Sequence, residues 1–137
     1  PVYAEAVVDL LGAVAYGEIS AFDRLAQDAR MAPDLADKAE LARMATVEFT
    51  HYERLCEYLV GLGADTLQAM EPFKVAFDAF HTRTASSDWL EGMITAYVGD
   101  GLAADFVVDS HLDRNGDLWF ATNNGVSPLS GNGHKRA

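Results

Sequence analysis

The sequence predicts an all-α fold, a bundle of amphipathic helices followed by an irregular C-terminal tail. Half of the 137 residues are apolar. Ala is abundant together with Leu, Met and Glu, and this composition favours helices. Apolar residues recur at steps of three and four over long stretches, as they do on the buried face of a helix. After residue 108 turn-forming residues replace this pattern. We therefore predict one helical domain over 1–108 and a turn-rich or disordered tail over 109–137.

Two long helices are predicted first, from about residue 2 to 30 and from about 34 to 60. Pro33 lies close to the start of the second helix, where its fixed φ is tolerated. Gly61 and Gly63 end that helix, because glycine readily adopts the conformations that close one. The apolar face of the first helix consists of Val7, Leu10, Leu11, Val14, Ile19, Phe22 and Leu25.

Residues 64–87 are predicted to form a crossover connection. Pro72 should interrupt any single helix there, and Phe73, Phe77 and Phe80 indicate only a short amphipathic piece. A connection of this length is typical of a four-helix bundle with one crossover. A further helix is predicted over about 88–108, with Ser87 as its cap and Glu91 in its first turn.

The tail after Val108 is predicted to form turns and a short strand instead of another helix. Asn115-Gly116 and Asn123-Asn124-Gly125 are turn formers that flank an apolar, aromatic segment, and residues 127–137 are predicted to be disordered. The segment is similar to one strand-turn unit of a propeller repeat. Residues 113–117 have part of the spacing of a calcium loop, but Gly116 stands at the fourth position instead of the sixth, which favours a simple turn.

Composition limits the environment and the partners of the chain. No apolar run approaches the length of a membrane span, and no basic-then-apolar segment stands at the start, so we expect a cytoplasmic protein without a membrane partner. Cys56 is the single cysteine; an intrachain disulfide is excluded, and its apolar neighbours predict core packing. The formal net charge of −11 disfavours an extensive contact with nucleic acid.

Glu48 and His51 are the first candidate metal ligands. They lie three residues apart on the second predicted helix, so both side chains project from the same face. Metal-binding four-helix bundles take one Glu from each of two helices and a Glu-x-x-His pair from each of the other two. The spacing is also common by chance in helical proteins, so its weight depends on further ligands.

Glu18 and Asp100 are those further candidates. Glu18 interrupts the apolar face of the first helix, and a carboxylate inside a core has to be paired, protonated or bound to a cation. A solvent-facing Glu at the edge of that face is the alternative. Asp100 echoes Glu18, because residues 99–103 repeat the Gly-acid-x-x-Ala pattern of residues 17–21. We predict that both carboxylates converge with the Glu-x-x-His pair.

Residues 6–106 resemble the actinobacterial ferritin-like proteins grouped with tRNA isopentenyl-adenosine hydroxylases, the MiaE-like family. The resemblance implies a ferritin-like helical bundle with a non-haem di-iron site, in which Glu18, Glu48, His51 and Asp100 bind iron and dioxygen serves for hydroxylation. The segments that carry it are Ala-Tyr-Gly-Glu-x-Ser-Ala-Phe at 15–22, Glu-Phe-x-His-Tyr-Glu at 48–53, Ser-Asp-Trp-Leu-Glu at 87–91, and Tyr-Val-Gly-Asp-Gly-x-Ala-x-Asp-Phe at 97–106.

The sequence departs from that family after Phe106, where the relatives continue into a fourth long helix with a second carboxylate-x-x-His pair. His111 does not supply this pair, because Val108 precedes it by three residues. Asp78 and His81 in the predicted crossover have the required spacing and are an alternative second pair. The other interpretation is that both face water.

Two functions are therefore predicted from the sequence. The first is a di-iron, hydroxylase-like oxidoreductase, impaired by the loss of the second pair. The alternative is a non-catalytic helical binding or structural module that holds little or no metal. In either case a second copy of the chain, or a helix of a partner, is expected to cover the groove that an absent fourth helix leaves open. The resemblance implies tRNA as a partner, but the acidic charge disfavours it.

Overall fold

The computed structural model describes residues 2–106, 109–112, 118–122 and 125–129, and it describes side-chain surroundings for residues 3–98. The helices are α1 (Val2–Asp28), α2 (Leu35–Gly61), α3 (Thr66–Arg83) and α4 (Trp89–Phe106). The strands are β1 (Asp109–Leu112), β2 (Leu118–Thr122) and β3 (Gly125–Leu129). The chain divides into two compact units, Pro1–Met93 and Ile94–Ala137. The predicted helical bundle is confirmed.

The helices α1 and α2 form an antiparallel hairpin. Phe22 contacts Phe49 with ring centroids 5.5 Å apart, and Glu18 lies 3.6 Å from His51, so residue numbers rise along one helix as they fall along the other. The Asp34 side chain caps α2 by accepting a hydrogen bond from an amide of its first turn. Both helices begin and end within two residues of the predicted positions.

The core of the first unit lies between these helices. One row of α1 is buried, and one row of α2 packs on it. Burial of several leucine side chains, each worth roughly 1.5–3 kcal/mol, holds the hairpin together. The buried members are Val7, Leu11, Ala15 and Leu25 on α1, Ala29 just after it, and Leu41, Ala45 and Leu59 on α2.

The predicted crossover is wrong in one respect, because α3 runs as a single helix through Pro72. A proline inside a helix removes one hydrogen bond and costs roughly 3 kcal/mol, and packing against α1 offsets this cost. Ala69 and Met70 are buried on the side of α3 that meets α1, and the helix start is capped by the side chain of Asp65. Tertiary packing therefore overrides the local helix breaker.

The approach of α3 to α1 depends on a glycine. A Cβ atom on Gly12 would lie 2.1 Å from the carbonyl oxygen of Ala69, so no other residue fits without moving the backbone. Farther along, Tyr16 packs edge-on against Phe77 with ring centroids 5.8 Å apart. Because both contacts advance in the same direction along the two helices, α1 and α3 run parallel.

The start of α4 differs slightly from the prediction. Asp88 acts as the cap, since its carboxylate accepts a hydrogen bond from the Glu91 amide at 2.9 Å. The predicted cap, Ser87, instead donates its amide and hydroxyl hydrogens to the Glu91 carboxylate at 2.8 and 2.7 Å. These two bonds, the amide one first, lower the pKa of Glu91. The cap therefore lies one residue after the predicted one, and Glu91 lies in the first turn as predicted.

The second unit contains an antiparallel sheet in the order β1-β2-β3. The predicted strand corresponds to β2, and the described residues beyond 108 form strands and no helix, as predicted. The sequence predicted neither β1 nor β3, and residues 127–129, expected to be disordered, belong to β3, where Pro128 pairs with Trp119. Pro128 lies on an edge strand, where a missing amide is tolerated. The residues considered as a calcium loop, 113–117, lie outside the described residues.

None of the described helices combines the length and the apolar character that crossing a membrane requires.

Candidate metal centre

The structure brings three of the four predicted ligands together on the α1–α2 hairpin. Nδ1 of His51 lies 3.6 Å from a carboxylate oxygen of Glu18 and 3.6 Å from one of Glu48. One donor atom from each of the three residues lies within 4.8 Å of the other two. Among the described residues this is the one group of three such donors that close together.

The position of Glu18 explains how a carboxylate enters the core. Leu11 and Leu25, seven residues before and after it, are 5% and 0% exposed. A seven-residue step returns to nearly the same side of a helix, so Glu18 occupies a place in the buried row of α1. Its side chain keeps 22% exposure, whereas a solvent-facing Glu at the edge would keep far more.

Glu48 enters from α2 in the same way. It lies seven residues after the buried Leu41 and three after the buried Ala45, and its side chain is 23% exposed. His51, one turn further on, turns towards the open side of the pair and remains 46% exposed. The group is therefore half sunk into the hairpin, with the imidazole at its solvent edge.

The donor set and its spacing fit a divalent transition metal. Carboxylate oxygen and imidazole nitrogen are ligands that iron, manganese and zinc accept. Two atoms bound to one ion at about 2.1 Å lie roughly 3.0–3.4 Å apart in octahedral or tetrahedral arrangements. The two separations from His51 Nδ1, 3.6 Å each, would need to shrink by only a few tenths of an ångström, while the Glu18 and Glu48 donor oxygens lie within 4.8 Å of each other.

Aromatic residues close in sequence to the three donors contact one another. Phe49 stacks at a tilt on Phe22, and Tyr52 lies 5.6 Å from Phe49. The Cys56 thiol one turn on, and next burial, raise the pKa of Tyr52. Cys56 is half-buried, partly in keeping with the predicted core position.

Asp100, the fourth predicted ligand, lies in α4, but its side chain is outside the described residues. Its part in the centre stays a prediction. The same holds for the binding of metal by the three residues that do converge.

The alternative second pair, Asp78 and His81, has a different place. Asp78 accepts a hydrogen bond from the Tyr16 hydroxyl at 2.6 Å and forms an ion pair with Lys74. The Lys74 ammonium, and next the Tyr16 hydroxyl, lower the pKa of the Asp78 carboxyl. His81 packs against the rings of Phe77 and Phe80. The pair thus joins α3 to α1 and does not belong to the donor group.

A groove of about 1380 Å³ lies between α1 and α3, beside this contact. Tyr16, Ser20 and Gln27 are among its lining residues on α1. These side chains project from the side of α1 that faces away from Glu18. The reason is the helix rotation of about 100° per residue, which places Tyr16, two residues before Glu18, about 200° around the axis from it. The groove and the donor group are therefore separate features.

Two contributions within this unit were not predicted. The Tyr16 hydroxyl bonds to the Asp78 carboxylate, 62 positions away. The four-residue spacing of Lys74 and Asp78 could have indicated their ion pair, but not the bond to Tyr16. Asp28 is the buried charged side chain among the described residues, at 3% exposure, and no local pattern marked it.

Comparison with known proteins identifies a related family. A family model described as a ferritin-like domain of actinomycetes matches residues 1–117. The match includes all four predicted ligands and extends eleven residues beyond Phe106, where the sequence resemblance was expected to end. No curated protein matches the chain.

Proposed function

We propose, from the premise that the chain belongs to the ferritin-like domain family of actinomycetes, that it binds iron through Glu18, Glu48 and His51. The single observation that carries the proposal is the convergence of these three donors, from two helices, on one point of the hairpin. We include Asp100 as a fourth ligand from α4.

Electrostatics supports a bound cation. Two carboxylate oxygens within 4.8 Å repel each other by about 1 kcal/mol in a water-like medium and about 3 kcal/mol at an effective dielectric constant of 20. A divalent ion between them would turn this repulsion into attraction. Glu18 occupies a position in the buried row where a leucine would pack well. A polar residue at such a position breaks the local hydrophobic pattern, and breaks of this kind are typical of functional sites.

The protein's own residues would determine what the iron does. Bound iron supplies redox chemistry with dioxygen. Glu18 and Glu48 would balance its charge, and His51 would occupy the exposed edge. We extend the proposal to oxygen-dependent hydroxylation in the manner of the tRNA-modifying enzymes, at a low rate, because the described residues hold no second group of three donors.

A non-catalytic helical module is the second candidate. The geometry that favours it is the same pair of 3.6 Å contacts, since a protonated His51 between two carboxylates satisfies them without metal. Ion pairs this exposed contribute about 0–1 kcal/mol each. The two candidates differ in whether the contacts respond to a metal ion.

The test is an anaerobic titration of the metal-free protein with Fe²⁺, read by calorimetry and by iron content after gel filtration. The proposal expects saturable binding, lost or weakened at least tenfold in His51→Ala and Glu48→Gln. Glu53→Gln is the matched control, because Glu53 is an exposed carboxylate on the same helix and should leave binding unchanged. Equal iron content in all four proteins would refute the proposal.

The hydroxylase extension has its own measurement, oxygen uptake by the reduced, iron-loaded protein. We expect substoichiometric iron and slow uptake, since two-metal sites hold their ions roughly 3.5–4 Å apart with ligands on both. Two irons per chain with rapid uptake would show that the centre is complete.

A further inference from the structure

Glu18 is held in the donor group in a different way from the other two residues. Glu48 and His51 share α2, and their three-residue step places them beside each other. Glu18 comes from α1, so its distance of 3.6 Å from His51 depends on how α1 lies against α2. The geometry of the group therefore depends on the rotation of α1 about its own axis.

The contact with α2 does not fix this rotation by itself. It is made by aliphatic side chains such as Leu11, Leu25 and Leu41, and the hydrophobic effect has no preferred direction. A side-chain end lies about 5–6 Å from the helix axis, so a rotation of about 10° displaces the Glu18 carboxylate by about 1 Å. Metal–ligand distances tolerate only about 0.2 Å. A directional contact is therefore needed close to Glu18.

Tyr16 makes such a contact, two residues before Glu18 and on the opposite side of α1. Its hydroxyl donates a hydrogen bond to Asp78 Oδ1 at 2.6 Å, and its ring packs edge-on against Phe77. The Phe77 ring also lies behind Gly17, where a Cβ atom would be 3.4 Å from it. A rotation of about 10° would move the hydroxyl by about 1 Å or more, which exceeds the range of about 2.5–3.0 Å for such bonds. The bond therefore resists rotation of α1.

We propose that Tyr16 and Asp78 are positioning residues, which hold the rotation of α1 and thereby the place of Glu18 in the metal centre. This rests on the proposed function, in which Glu18 binds the metal. All three residues belong to the first compact unit, Pro1–Met93. Tyr16 and Asp78 act through Glu18 and are not themselves ligands, so their removal should change the affinity for the ion and not the number of ions bound.

The experiment is a calorimetric titration of the metal-free full chain with Co²⁺ alone, an air-stable substitute for Fe²⁺. Tyr16→Phe removes the hydroxyl but keeps the ring against Phe77, and Asp78→Ala removes the acceptor. Both should weaken Co²⁺ binding about tenfold, the lower end of the usual effect of groups that orient ligands. Asp78→Asn should bind as the wild type does, because an amide oxygen accepts the same hydrogen bond.

Three variants serve as controls and should leave Co²⁺ binding unchanged. Lys74→Met breaks the ion pair of Asp78 but keeps its bond from Tyr16. His81→Gln removes the other member of the alternative ligand pair. Leu59→Val takes a methylene group out of the buried α1–α2 interface, about 12 Å along α2 from the donor group. It lowers the stability of the unit without touching the Tyr16 contact.

Several outcomes overturn the inference. Unchanged affinity in Tyr16→Phe does so, as does a loss of its helical circular dichroism, which would make the bond a requirement for folding. An equal loss of affinity in Leu59→Val would show a merely structural role, and a lost ion in His81→Gln would make Asp78 a ligand. A tenfold loss in Asp78→Asn would exclude the hydrogen bond as the cause. The proposed function itself fails by a different result, unchanged binding in His51→Ala.

Discussion

The two faces of α1 make different kinds of contact. Towards α2 it presents a leucine row with one carboxylate in it, and the helices meet through side chains. Towards α3 it presents Gly12, and the helices meet at backbone distance, tied by the Tyr16–Asp78 hydrogen bond. The difference teaches that a polar group in a side-chain interface leaves room for a ligand among the side chains, whereas the backbone contact at Gly12 leaves none at that point, and the groove between α1 and α3 lies elsewhere along the two helices.

The backbone contact should be the most sensitive point of the unit. Gly12→Ala places a methyl group 2.1 Å from a carbonyl oxygen that cannot rotate away, and overpacking of this kind typically costs 1–3 kcal/mol. We expect a net loss of about 2 kcal/mol in the free energy of unfolding, measured by urea denaturation. Gly61→Ala is the control, where the better helix propensity of alanine should give no loss. A stable Gly12→Ala variant would mean that α3 moves away freely.

The side-chain interface should respond in the opposite direction. Glu18→Leu completes the buried row between Leu11 and Leu25, so the metal-free protein should gain about 1 kcal/mol of stability from apolar burial. The same variant should lose Fe²⁺ binding. Denaturation in the presence of a chelator separates the two effects, because bound metal stabilises the native state. A destabilised Glu18→Leu variant would show that Glu18 serves the fold instead of a ligand.

The smallest effect is expected in the pH dependence of the α1–α3 contact. The ammonium of Lys74 and the hydroxyl of Tyr16 lower the pKa of Asp78 from its ordinary 3.8. A carboxyl with a lowered pKa in the folded state contributes stability above 3.8, and this contribution disappears as the pH falls through that value towards the folded pKa. Stability of the native protein should therefore fall on acidification partly through this group.

Asp78→Asn should make the free energy of unfolding fall less steeply on acidification. The measurement is chemical denaturation at several pH values from about 5 downwards. Lys74→Met should have a similar but weaker effect, since the ammonium is the larger cause and Tyr16 remains. The side chains are about half exposed, so the change is expected to be small. An equally steep decline in Asp78→Asn would exclude a role of this carboxyl in acid stability.

Local sequence signals were sufficient for the parts of the centre that lie within one helix. The three-residue step from Glu48 to His51 placed both on one side of α2 before any fold was known, and Glu18 interrupted a visible apolar row. Helix periodicity and capping act over a few residues, which is why the bounds of α1, α2 and α4 were predicted closely.

Contacts between distant segments were decided by the tertiary structure alone. The helix through Pro72 exists because α1 offers Gly12 for close approach, and no local pattern weighs that gain against the cost of proline. The bond from Tyr16 to Asp78 and the burial of Asp28 likewise join segments about sixty residues apart. The sequence by itself determined which residues share a helix face, since that depends on a fixed rotation of 100° per residue. Which faces meet depends on packing across the whole chain, and this only the folded molecule decides.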